Sequence, residues 1–119
     1  MLRILLLALG LAAAEVFAQD PGRIVFTQTA QPACALCHTL ADAGSSAEIG
    51  PDLDQLKPTA EQVVTAVRYG VGIMPAFEES LSEAEIDAVA QYVARVTGAD
   101  LNASNGAGHH GGGKKMHPP

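Results

Sequence analysis

The clearest hydrophobic pattern along the chain lies shortly before its Gly-rich end. Ser82 and Glu85 have the spacing of a capping box, and apolar residues at i, i+3, i+4 and i+7 follow. This pattern predicts an amphipathic helix that runs to about Val96, with Gly98 as its stop. The apolar stripe of this helix consists of Ile86, Val89, Ala90, Val93 and Val96.

Two earlier segments also have helical patterns. Residues 59–68 begin at Thr59 with a second capping box and carry apolar residues on one face, so they predict a helix. Residues 23–30 read as a short first helix interrupted near Pro32, although their β-branched content leaves a strand open. The shared apolar face of the helix at 59–68 consists of Val63, Val64 and Val67.

The segments between these helices carry Gly and Pro. Residues 34–41 are predicted to form a helical turn. Residues 43–58 and 71–80 are predicted loops, and loops of this length in a small domain are usually functional or surround a ligand. No segment has the strict alternation that a sheet would require, so the predicted fold class is all-α.

Both ends of the chain differ from this central region. Residues 4–14 are an unbroken apolar run after a basic start, too short for a stable membrane span, and Val16 and Ala18 fit a cleavage site. We therefore expect a signal peptide over residues 1–18, with an uncleaved anchor as the alternative. The folded domain is expected over 19–98, without a membrane span, in the periplasm. The Gly/His/Pro-rich residues 99–119 are expected to be a disordered tail.

The charge of the chain limits its partners. Seven basic and 13 acidic side chains give a net charge of −6. Nucleic-acid binding needs clustered Lys and Arg, so this balance argues against it. An acidic surface is compatible with a basic protein partner, or it serves only solubility.

One motif carries specific chemistry, namely Cys34 and Cys37 followed by His38. The C-x-x-C-H sequence is the attachment signature of c-type haem. A two-residue gap on a helical turn places both thiols at one edge of a porphyrin, and the next residue directs its imidazole at the iron. A dithiol redox pair, a disulfide and a zinc site are alternatives. The missing βαβ pattern and the lack of a second Cys/His pair in the folded region disfavour the redox and zinc alternatives.

Met74 is the expected second iron ligand. It lies in the loop 71–80, and Pro75 restricts it towards extended backbone. His/Met ligation is the arrangement of cytochromes c, whereas a methionine without a haem motif nearby would more often fill a core gap. The remaining histidines of the chain, in the tail, are more typical of a flexible low-complexity end than of a metal site.

Taken together, these motifs resemble the class I monohaem cytochrome c family. The matching stretches are residues 34–38, 50–53, 74–77 and the helix at 81–96, in that order. The resemblance implies three to five short helices wrapped round one haem c. A looser likeness, in the sequence around the haem motif and residues 50–53, is to the cytochromes paired with sulfite dehydrogenases.

The resemblance also implies roles for particular residues. The Pro51 carbonyl would accept the Nδ1 proton of His38. Phe26 and Tyr92 would lie near the crossing of the first and last helices, or be ordinary core residues. Candidates for contact with a haem propionate, or alternatively solvated surface residues, are Lys57, Arg68 and Tyr69.

The function that follows is single-electron transfer in the periplasm. The implied donor is an exported dehydrogenase, such as sulfite dehydrogenase, and the implied acceptor is a terminal oxidase or another cytochrome. With His38 and Met74 both bound to iron, no site is left for substrate, so the chain is expected to be an electron carrier and not an enzyme. The carrier is expected to be either free or the cytochrome subunit of an exported dehydrogenase. The alternative is a haem enzyme or small-molecule sensor in which Met74 can be displaced.

Overall fold

The structure, a computed structural model, describes residues 18–99. The predicted signal peptide and tail lie outside this range, apart from Ala18 and Ala99. Within residues 18–99, no helix combines the length and the apolar character needed to cross a membrane.

The described residues form a mostly helical domain, which confirms the predicted fold class. The first helix continues without a break into a π-helical segment, and the haem-motif cysteines lie on and just after a 3₁₀ turn. Two short strands pair antiparallel. In chain order the elements are α1 (Pro21–Ile24), the π-helical segment (Val25–Thr29), a 3₁₀ turn (Cys34–Leu36), β1 (Thr39–Leu40), a second 3₁₀ turn (Ala41–Ala43), β2 (Ser45–Ser46), α2 (Leu53–Leu56), α3 (Ala60–Tyr69) and α4 (Glu83–Thr97).

The first helix begins two residues earlier than predicted. Asp20 caps it by accepting hydrogen bonds from the backbone of Gly22 (2.8 Å) and Arg23 (3.4 Å), and Pro21 occupies the first helical position. Proline is well placed there because the first turn leaves its N–H groups without helical partners. Asp20 and Pro21, which resemble turn residues in the sequence, are therefore a helix start. The strand alternative is not adopted.

The region from Thr39 to Lys57 differs most from the sequence prediction. The predicted helical turn over 34–41 ends at Leu36, because the chain then enters β1 and reverses through Gly44, which has φ +69°. The predicted loop over 43–58 contains β2 and also α2. Asp52 caps α2 through its side chain, and Lys57 ends it in a left-handed conformation. Such four-residue helices are fixed by caps and burial and leave no periodic pattern in the sequence.

The two longer helices lie close to their predicted positions. Both predicted capping boxes are present, at Thr59 for α3 and at Ser82 for α4. Gly98 ends α4 in a left-handed conformation, as predicted. The main-chain N–H (2.7 Å) and the hydroxyl (2.9 Å) of Ser82 donate to the Glu85 carboxylate, and these bonds lower its pKa.

Helix α4 is the central element of the core. It packs against α1 on one side and α3 on the other, and its residues Ile86 and Ala90 are completely buried. The apolar core that it shares with the other elements consists of Val25, Phe26, Ala30, Leu40, Leu53, Val63, Val67, Phe77, Leu81, Ile86, Val89, Ala90, Tyr92 and Val93.

The crossing of α1 and α4 depends on a glycine. A Cβ on Gly22 would collide with the Ala88 carbonyl oxygen and with the Cβ of Tyr92. One turn further on, the rings of Phe26 and Tyr92 meet edge to face with centroids 6.2 Å apart, so both residues lie near the helix crossing, as the family resemblance implies. The Tyr92 hydroxyl donates to Asp42 (2.6 Å), so the crossing is also tied to the segment after β1.

We predict that Gly22→Ala destabilises the protein by about 3 kcal/mol or more, because neither colliding group can rotate away. Gly98→Ala is the control: its φ of +77° disfavours a side chain, but nothing lies within 4 Å, so it should cost only about 1 kcal/mol. Denaturant unfolding of the purified proteins measures both. Equal stabilities of the two variants would contradict the close-crossing argument.

A second prediction concerns acid. Because the folded state lowers the pKa of Glu85, its contribution to stability is fully present above its ordinary pKa of 4.5 and is lost as the pH falls through the folded value. We expect Glu85→Gln to be less stable than the parent at pH 7 and the difference to shrink below about pH 4.5. Glu79→Gln controls for loss of one exposed charge. A difference between parent and Glu85→Gln that is independent of pH would refute the assignment.

Candidate functional site

A cavity of about 460 Å³, a volume typical of sites for cofactors and small molecules, lies among the described residues. It lies between α3, α4 and the loops that carry the predicted site residues. All five of these residues line it, although the sequence separates them widely: Cys34, Cys37, His38, Pro51 and Met74.

The walls of the cavity are almost wholly apolar. Among the described residues that line it there is no Asp, Glu, Lys or Arg, and Gln62 is the one amide side chain. Such a site would exclude water and favour a large apolar ligand. The buried part of the wall comes from α3, α4 and the segments around them, through Phe26, Leu53, Pro58, Val63, Val67, Phe77, Val89 and Val93.

The two cysteines are held on a single turn. The backbone N–H groups of Cys37 (3.1 Å) and His38 (3.0 Å) both donate to the Cys34 carbonyl, so the three side chains project from one compact unit. The cysteines are not joined in a disulfide. Burial raises the pKa of the Cys34 thiol to about 11. Because a redox dithiol needs a thiol with a lowered pKa, this environment disfavours the dithiol alternative.

The His38 ring is fixed by two backbone contacts. Its Nδ1 lies 2.8 Å from the Pro51 carbonyl oxygen. A carbonyl can only accept, so Nδ1 is the donor in this hydrogen bond and Nε2 carries the lone pair in the neutral ring. Gly50 lies against the ring, because a Cβ there would be 2.6 Å from Cε1 and 2.8 Å from Nδ1. The Gly50 N–H also donates to the Cys37 carbonyl at 2.6 Å.

Met74 is held by a tight reversal of the chain. Two backbone hydrogen bonds join it to Val71, with N···O distances of 2.9 and 3.2 Å, and Gly72 between them has φ +58°. Gly70 allows this loop to approach the end of α3, since a Cβ on Gly70 would lie 2.5 Å from the Met74 carbonyl oxygen. Met74 is partly buried and packs against the core cluster.

The three candidates for propionate contact do not line the cavity. Arg68 forms an ion pair with Glu83 at the start of α4, and Tyr69 is 64% exposed. Lys57 is exposed at the end of α2. These positions are those of surface residues, which is the alternative that the sequence left open, and contact with a propionate stays a prediction.

Sequence reasoning assigned a role to the Pro51 carbonyl but none to Gly50, Gly70 or Ser45. Gly50 and Gly70 matter for the side chain that they lack, and Ser45 matters because its hydroxyl donates to the carbonyl of His38. For Gly50, the Gly-Pro pair at 50–51 is a sequence feature that could have indicated the role. Nothing in the local sequence around Ser45 distinguishes it from its neighbour Ser46.

The donor set of the cavity fits a haem. A soft thioether and an imidazole with a free Nε2 lone pair are the two side chains that c-type haem iron takes, and both line an apolar cavity with two cysteines. A hard cation such as Ca²⁺ or Mg²⁺ would fit this cavity less well, because the carboxylates that such ions prefer are missing from the described lining.

The comparisons with known proteins agree with this chemistry. The family model described as cytochrome c oxidase, cbb3-type, subunit III, matches residues 18–93. A solved structure, that of the c-type cytochrome SorU from Sinorhizobium meliloti, is 56% identical, with a TM-score of 0.63. The match covers 66% of this chain and 88% of SorU. The search of curated proteins gave no match.

The matched family segment spans more than half of the chain and contains the whole cavity lining. The similarity to SorU is high enough to extend beyond fold to the type of protein. The chain therefore belongs to the cytochrome c family: it is a class I cytochrome c, an electron carrier and not an enzyme.

Proposed function

We propose that the protein carries one haem c, joined through Cys34 and Cys37, with His38 and Met74 as the two iron ligands. The observation that carries the proposal is that all four side chains line one apolar cavity without a competing charged group among its described lining residues. The protein would pass single electrons in the periplasm between an exported dehydrogenase and a respiratory acceptor.

When bound, the haem would supply an iron able to exist in ferric and ferrous states. The protein sets the balance between these states through the two ligands. The hydrogen bond from Nδ1 of His38 to Pro51 makes the imidazole a better electron donor, whereas the thioether of Met74 favours the ferrous state. Because both ligands come from the chain, no position remains at which a substrate would bind.

The cavity contributes by excluding water. A low-dielectric wall makes a change of iron charge costly, so the potential depends on the groups placed close to the ligands. Apolar side chains at the rim of the cavity remain exposed, by 65% for Val71 and 85% for Ile73. Such a rim suits a brief encounter with a partner, and redox encounters have small interfaces.

The proposed partners follow from the sequence and the charge. The apolar run at 4–14 supports export to the periplasm, and the net charge of −6 favours a partner with a basic docking surface. The donor that we propose is an exported dehydrogenase, with a sulfite dehydrogenase as the specific candidate. The acceptor would be a terminal oxidase or another cytochrome.

We predict that Met74→Ala lowers the reduction potential by on the order of 0.1 V, because a thioether that favours ferrous iron is lost. Spectroelectrochemical titration measures the potential. The methionine-to-iron absorption band at the red end of the ferric spectrum should disappear in the same variant. Met116→Ala is the matched control, since Met116 is the other methionine outside the predicted signal peptide, and it should leave both unchanged.

Persistence of that band in Met74→Ala would show that another residue ligates the iron.

Titration of the reduced parent protein with carbon monoxide addresses the alternative function. An immediate spectral shift at neutral pH would mean that Met74 is readily displaced, as in a haem enzyme or sensor, and would overturn the carrier proposal.

A separate prediction tests the covalent attachment. Cys34→Ala removes one thioether, so the yield of holoprotein from cells with haem-maturation machinery should fall severalfold. A pyridine haemochrome assay measures covalent haem per protein. Leu36→Ala is the control because Leu36 lies inside the motif but is 62% exposed and does not line the cavity. Equal haem content in the two variants would contradict attachment through Cys34.

A further inference from the structure

The hairpin that follows His38 places a hydroxyl against the main chain of that residue. Strands β1 and β2 pair Thr39 with Ser46 and Leu40 with Ser45. The reversal at Gly44 returns the chain so that Ser45, which is half-buried, reaches the cysteine turn. Ser46, next to it in the same strand, is exposed.

Ser45 closes the end of the cysteine turn. Its hydroxyl donates to the carbonyl of His38 and lies 3.2 Å from the carbonyl of Ala35, in the middle of the turn. The last carbonyls of any helical turn lack partners within it. Here Ser45 supplies the donor for His38, and Gly50 supplies the donor for Cys37.

The ring of His38 and the main chain of His38 are held by different residues. The ring is oriented by Gly50, against its face, and by the Pro51 carbonyl, 2.8 Å from Nδ1. The main chain that carries the ring is held by Ser45. A shift of that main chain would change the distance between Nδ1 and the Pro51 carbonyl even with both residues unchanged.

We propose that Ser45 is a positioning residue that tunes the strength of His38 as an iron ligand. The inference rests on the proposed function, because it takes His38 to be the ligand. With the Ser45 hydroxyl in place, the hydrogen bond from Nδ1 to Pro51 is short and the imidazole donates strongly, which favours the ferric state. Without it the turn relaxes, this hydrogen bond lengthens, and the reduction potential rises.

The test compares the reduction potentials of four variant holoproteins. Ser45→Ala should favour the reduced form by at least about threefold in the equilibrium constant, which is about 28 mV for one electron. Ser45→Thr keeps the hydroxyl and should restore the parent potential. Ser46→Ala controls for loss of a serine in the same strand. Thr39→Val removes the hydrogen bond from Thr39 Oγ1 to the Ala47 carbonyl (2.9 Å) in the same hairpin, a bond in which His38 takes no part.

Two outcomes would overturn the proposal. One is a Ser45→Ala potential equal to that of Ser46→Ala. The other is an equal rise in Thr39→Val, since a loosened hairpin would then suffice. If Ser45→Ala gives no holoprotein, NMR of the parent takes its place: a Ser45 hydroxyl proton protected from exchange supports the bond, and free exchange overturns it.

The outcomes also distinguish this inference from the proposed function. If the parent protein shows the spectrum of His/Met ligation and Ser45→Ala leaves the potential unchanged, only the role of Ser45 fails. If the parent lacks that spectrum, His/Met ligation itself fails. The Ser45 inference fails with it only where His38 is the ligand that is missing.

Discussion

The structure depends on bringing His38 and Met74 to the same apolar cavity although neither lies on a long helix. A long helix would fix a side chain through its own regular hydrogen bonds. Here each of the two residues lies on a short irregular segment, and tertiary contacts supply the rigidity. His38 is held by Gly50, Pro51 and Ser45, and Met74 is held by its pairing with Val71. The longer helices form the scaffold to which these segments attach.

Much of this scaffold could be predicted from the sequence. Helices α3 and α4 are amphipathic and carry complete capping boxes, so their starts were predicted to within a residue or so. The first helix was harder to place, because Asp20 and Pro21 occur equally well in turns. The hairpin and α2 were not predicted, since elements of two to four residues have no periodicity to recognise.

The candidate site likewise has a part that could be predicted from the sequence and a part that could not. Its side chains could be predicted because Cys34, Cys37 and His38 form a specific motif, and because Met74 precedes a proline in a loop. The contacts that hold these side chains depend on backbone groups and on glycines, whose effect appears only when two distant segments meet. Gly50 is the example: its role depends on the His38 ring, which is twelve positions earlier in the chain.

The position of α4 at the end of the described chain also affects when the cavity can form. This helix supplies Val89 and Val93 to the wall of the cavity, and it follows every other described element along the chain. A chain that emerges with its N-terminus first therefore presents Cys34 and Cys37 before that wall exists. Without α4 in place, the turn that carries the two cysteines would lack this part of its apolar cover and would be more open to a reacting group.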